Sequence, residues 1–284
     1  MFTTLINWFE GLFNKGRTVI SPEPLNRSLS PESSAFLTEQ VEFYRALNKT
    51  DRLLFEQRAL LFIDTTDIVG QGVEVTKQSR LLVAASAIIP VWAFAKWHYF
   101  NLQTVILVPG SFNEAHEYGQ QDSTITGMVG NGPMNGKMIL SLPALHYGFA
   151  NAKDKSNVGI HEFAHLIDMA DGDCDGFPER LSKYAFFAPW LSFVEEKIAA
   201  IHNKQSNINP YGATNQQEFF AVATEYFFER PKMLKKKHPK LYKELVAFYQ
   251  QDMAAIHHDI APKKNAPCPC GSGNKYKRCC LPKN

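Results

Sequence analysis

The sequence predicts an α+β fold that is mainly helical, with a small mixed β-sheet and a short appended module at its C-terminal end. Three observations carry this. Apolar residues recur at helical spacing through most of the 284-residue chain. Short β-branched or apolar runs bounded by Gly and Pro cluster in the middle. Four of the five cysteines, Cys268, Cys270, Cys279 and Cys280, crowd together at the end.

In chain order, Leu5, Trp8, Phe9, Leu12 and Phe13 share one helical face. The Ser- and Pro-rich stretch after them reads as a linker, so residues 1–32 form an amphipathic segment plus linker. Helical patterning runs over residues 33–64, as two helices broken around 49–51, with Phe36, Leu37, Val41, Tyr44 and Leu47 on the apolar face. Residues 70–75 are a candidate strand. A core helix follows over 77–89 and is stopped by Pro90. Residues 104–108, 123–129 and 137–141 are further strands, separated by turn-rich segments. Residues 157–170, 187–203, 214–229 and 237–257 show helical spacing. The main domain is expected over residues 33–262, with a cysteine module over 263–284.

Composition excludes several classes. The net charge of +2 is too mild to indicate nucleic acid, and no nucleic-acid role is expected. The longest apolar stretch, residues 81–95, contains Ser86 and Pro90 and falls short of the about 20 residues a membrane span needs. The N-terminus lacks the early basic residues and cleavage site of a secretory signal, so a cytoplasmic location is expected. In a reducing compartment, clustered thiols point to metal before disulfides.

The chemistry concentrates in His161-Glu162-Phe163-Ala164-His165. Positions i and i+4 share a helix face, so the two imidazoles can bind one cation. Glu162 is rotated to the neighbouring edge, where it can take a proton from a metal-bound water without being a ligand. Val158, Phe163, Leu166 and Met169 can anchor the helix, and Asp171 and Gly172 end it. A catalytic zinc needs a third protein ligand. Glu218 and Glu225, seven residues apart, lie nearly on one face of a later helix. Spacing does not choose between them. His98, His146 and His202 lack partner spacing and read as structural or surface residues.

These residues belong to a wider pattern. His161-Glu-Phe-Ala-His-Leu-Ile-Asp168, Asp175-Gly-Phe-Pro178 and Tyr211-Gly-Ala-Thr-Asn-Gln-Gln-Glu-Phe-Phe-Ala-Val222 resemble the family of Mlc titration factor A. Those bacterial zinc peptidases are zincin-like, with a catalytic half similar to that of anthrax lethal factor. The resemblance implies Glu218 as third ligand, Tyr211 as a phenol stabilising the oxyanion, and Glu225 as an outer-shell or structural residue. It implies a peptide or protein substrate, and a sheet edge beside the metal that receives it, for which residues 137–141 are the candidate. Some relatives carry another metal-proximal histidine before the motif. Asp122 aligns there, with His116 near but out of register. Asp168 is a candidate acceptor for a ligand histidine's ring N–H.

The segment Cys268-Pro-Cys270-Gly-Ser-Gly-Asn-Lys-Tyr-Lys-Arg-Cys279-Cys280 resembles the SEC-C motif, the zinc module that ends the translocation ATPase SecA. Four thiolates can close a structural tetrahedral site, and so short a segment needs metal to fold. Two zinc ions are therefore expected, one catalytic and one structural. By resemblance the tail is a surface for a protein partner. The leading expectation is a zinc peptidase with Glu162 as general base. The alternative is a regulatory protein that sequesters a transcription repressor or other partner, with little peptidase activity.

Overall fold

A computed structural model describes residues 27–94, 96–130, 134–151, 154–178 and 187–260, together with Lys275 and Arg278. The amphipathic N-terminal segment and the four tail cysteines lie outside the described residues.

The N-terminal helical region is three helices rather than two: α1 (Pro31–Gln40), α2 (Glu42–Ala46) and α3 (Lys49–Thr65). The breaks fall at Val41 and Leu47, both with extended backbone. Residues 49–51 start α3, because Asn48 Oδ1 accepts from the Asp51 backbone N–H at 3.0 Å and caps it. The first strand, β1 (Asp67–Gly70), comes earlier than the sequence reading placed it. Helix α4 (Lys77–Ile88) is capped by Thr76 and is buried along almost its whole length.

Strands β2 (Leu102–Val108), β3 (Gly127–Val129) and β4 (Gly136–Ser141) complete a four-stranded sheet of order β1-β2-β4-β3. Its first three members are parallel, and β3 runs antiparallel to β4. β3 is shorter than the expected 123–129 because Ile125 bridges to Phe112 instead of joining the ladder. One face of the sheet, with Val105, Leu107, Met138 and Leu140, enters the main core. The other carries a small cluster of Val108, Phe112 and Ile139.

Helix α5 (Leu142–Ala150), unmarked in the sequence reading, starts directly from β4 on a Ser141 cap. Helix α6 (Val158–Asp168) carries the pentad and continues as a 3-10 turn over Met169–Asp171. Gly172, at φ 111°, ends it in the left-handed region. Helices α7 (Phe187–His202) and α8 (Gln216–Glu229) match the expected spans. The segment expected as one helix over 237–257 is two, α10 (Pro239–Tyr249) and α11 (Met253–Ile260), preceded by α9 (Pro231–Lys237). Gln250, at φ 52°, stops α10.

The site is positioned by α6, which packs on α8, α4 and β3. Every residue from Gly159 to Asp168 is buried. Gly159 is required at the α4 crossing, since a Cβ there would stand 2.0 Å from Ser86 Oγ. β4 is paired on both sides, so residues 137–141 have no free edge to offer a substrate. The edge beside α6 is β3.

Candidate metal centre

His161 and His165 project from α6 toward the first turn of α8, where Glu218 sits. His161 Nε2 lies 3.1 Å from His165 Nε2 and 3.0 Å from Glu218 Oε2. The third side of the triangle, His165 Nε2 to Glu218 Oε2, is 3.5 Å. A tetrahedral zinc with bonds of about 2.0–2.1 Å spaces its ligands about 3.3–3.4 Å apart. The three donor atoms fit that geometry. Two buried imidazole nitrogens facing each other also need a proton or a cation between them. Among the described residues, this is the set of His, Cys, Asp and Glu side chains that converges in this way.

The electrostatics agree. Burial opposes charge on His161, but the Glu225 and Glu218 carboxylates outweigh it and hold its pKa well above the ordinary imidazole value. Burial likewise opposes charge on Glu218, yet hydrogen bonds from His161 and His165 bring its pKa down to about 2. The pocket favours positive charge, which a divalent cation supplies as a proton does.

Glu162 is buried beside the candidate ligands, against β3. Gly127 makes room for it: a Cβ at that position would meet Glu162 Oε1 at 2.5 Å. Burial pushes the Glu162 pKa up, while His161 and His165 pull the other way. Its carboxylate is therefore easier to protonate than an exposed one. Tyr211 is 54% exposed, on the 3-10 turn Pro210–Ala213 before α8, with its ring centroid 5.9 Å from that of His161. Burial of its hydroxyl and the nearby Glu218 and Glu162 charges raise its pKa, so it remains a donor.

The remaining sequence candidates fall elsewhere. Glu225 faces the far side of His161, its Oε1 2.8 Å from Nδ1. Asp168 Oδ2 accepts from the Gly176 backbone N–H at 2.8 Å and so ties down the Asp175–Pro178 loop. The Cys174 thiol faces His165 Nδ1, at 4.0 Å. Asp122 lies against Asn113 in the loop after β2. His116 lines a cavity of about 660 Å³ with Ile106 and Ile139, over the sheet face turned away from the main core. Neither belongs to the converging set. His98, His146 and His202 are exposed.

Sequence reasoning passed over Gly127 and Asn157. Asn157 was readable as a cap, an Asn directly before the helical run. Nothing local marks Gly127, whose need arises from a helix distant in sequence.

Two histidines one turn apart, a glutamate from a second helix and a buried carboxylate beside them define a centre of the metallopeptidase class. The chain belongs to the family described as glucose-regulated metallo-peptidase M90, which matches residues 18–250. Residues 265–282 match the SEC-C motif. An uncharacterized protein of Synechocystis is 30% identical over 236 residues, covering 78% of this chain and 85% of the relative. Mlc titration factor A of Klebsiella pneumoniae is 26% identical over 221 residues, 72% of this chain and 81% of that protein. Its namesake from Escherichia coli is 26% identical over 250 residues, 83% and 89% respectively. No helix among the described residues is long and apolar enough to cross a membrane.

Proposed function

We propose that this chain is a zinc-dependent peptidase, with His161, His165 and Glu218 as metal ligands, Glu162 as general base and Tyr211 as electrophilic helper. The convergence of three donor atoms from two helices, with a buried carboxylate beside them, carries this reading. Zinc held there would supply Lewis acidity and make a nearby water a better nucleophile. Glu162 is positioned to accept a proton from the attacking water and return it to the leaving amine. The Tyr211 hydroxyl donates toward the charge that develops on the carbonyl oxygen. An extended substrate adds to the β3 edge, the strand whose Gly127 packs against Glu162. Cys268, Cys270, Cys279 and Cys280 hold a second, structural zinc, in a tail that meets a protein partner.

A second reading is favoured by the name of the relatives: a regulatory protein that sequesters a repressor or other partner, with slight peptidase activity. Glu162→Gln separates the two. The variant is expected to retain zinc and lose hydrolysis of a peptide library. Cleavage undiminished in this variant overturns the mechanism. An inactive wild type whose partner binding survives Glu162→Gln supports the second reading.

A further inference from the structure

Behind the candidate ligands, one carboxylate makes two contacts that belong to different levels of structure. Glu225 Oε1 lies 2.8 Å from His161 Nδ1. Its Oε2 accepts from the Asn157 backbone N–H at 2.5 Å. Asn157 is the N-cap of α6, its Oδ1 accepting from the Ile160 N–H at 3.1 Å. Its Nδ2 donates to Glu229 Oε1 at 3.3 Å. Glu225 is only 4% exposed, so little water is available to substitute for either contact.

We propose that Glu225 is the positioning residue of the metal centre, setting the tautomer of His161 and, through Asn157, the placement of the helix that carries both histidines. The inference rests on the metal-centre reading above. Its chemistry follows from donor and acceptor types. An ionised carboxylate accepts at both oxygens. Oε1 therefore makes Nδ1 the protonated nitrogen of His161 and leaves the Nε2 lone pair facing His165 and Glu218. Oε2 simultaneously satisfies a backbone N–H at the start of α6. Glutamine is the same length but cannot do both. Its amide turns an NH2 either toward the Asn157 N–H, donor against donor, or toward His161 Nδ1, which reverses the tautomer and withdraws the Nε2 lone pair.

The test uses the full chain loaded with zinc. Glu218→Ala defines the occupancy and affinity that depend on this centre, leaving the tail as background. Glu225→Gln is compared with Glu229→Gln, which alters the neighbouring carboxyl that touches the Asn157 side chain but not the His161 ring. Chelator competition reads zinc affinity, and NMR of histidine-labelled protein reads the His161 Nδ1–H resonance. Glu225→Gln is expected to weaken the Glu218-dependent site by about 10- to 100-fold and to shift or erase that resonance. Glu229→Gln is expected to stay within about threefold of wild type, since no contact to a ligand imidazole is changed. Should Glu225→Gln not fold, Glu225→Asp, which keeps the charge and loses the reach, carries the same comparison. Wild-type affinity with an unchanged resonance in the Glu225 variant overturns the proposal. Equal losses in the Glu225 and Glu229 variants also overturn it, by showing general loosening of α6. If Glu218→Ala loses no zinc, the metal-centre reading fails first and the positioning role falls with it.

Discussion

Single residues set the chemistry within narrow tolerances, and Gly127 shows how narrow. A methyl group there would stand 2.5 Å from Glu162 Oε1 and 2.6 Å from Val158 Cγ2. Either the Glu162 carboxylate moves or β3 is pushed from α6. Gly127→Ala is therefore expected to keep its zinc while kcat falls, by as much as about 100-fold for a displacement near 1 Å. Metal analysis and peptide kinetics on one preparation check this, and full activity would remove Glu162 from the role of base. Asp168 offers a prediction in pH. Burial raises its pKa from 3.8 to about 6, against the pull of the Gly176 N–H. The folded state thus prefers the protonated acid. Its contribution to stability is complete below pH about 4 and is lost as pH rises through about 6, amounting to about 3 kcal/mol. Asp168→Asn, fixed in an uncharged form, should flatten that decline in urea denaturation followed from pH 4 to 7. An unchanged slope would assign it to other groups.

At the scale of elements, the site depends on how α6 is started and crossed. Its N-cap is Asn157, and a capping side chain contributes about 0.5–2 kcal/mol. Asn157→Ala should destabilise the fold by about that amount. The backbone N–H that reaches Glu225 survives the substitution. The variant should therefore lose less zinc affinity than Glu225→Gln, a ranking that chemical denaturation and chelator competition measure together. A larger loss of metal in the Ala variant would place the control of His161 in the cap itself. The helical spans around the site were legible in sequence. The apolar period of 157–170 and 214–229 gave elements that differ from α6 and α8 by only a residue or two at their ends. The breaks at Val41 and Gln250 were not legible, because both residues are compatible with a helix. What stops the helix there is a backbone turn imposed by packing, extended at Val41 and left-handed at Gln250.

For the whole molecule, the family match and the SEC-C match divide the chemistry between two places. Protein purified with zinc is expected to hold two ions, and a chain lacking residues 263–284 one. The shortened chain should keep peptidase activity on small substrates, since His161, Glu162, His165 and Glu218 all remain. Two ions in the shortened chain would refute the assignment of the tail cysteines. The sequence alone determined the pentad, the helix that displays it, and the presence of a later helix with two glutamates on one face. These are periodic features, and periodicity fixes which residues share a surface. It does not fix what that surface meets. Only the packing of α8 on α6 decided that Glu218 stands at His161 Nε2 while Glu225 stands at Nδ1 of the same ring. Only the strand order put β3 rather than β4 at the edge beside Glu162. Both outcomes depend on contacts between segments far apart in the chain, where distance and orientation follow from the whole core and leave no local trace in the sequence.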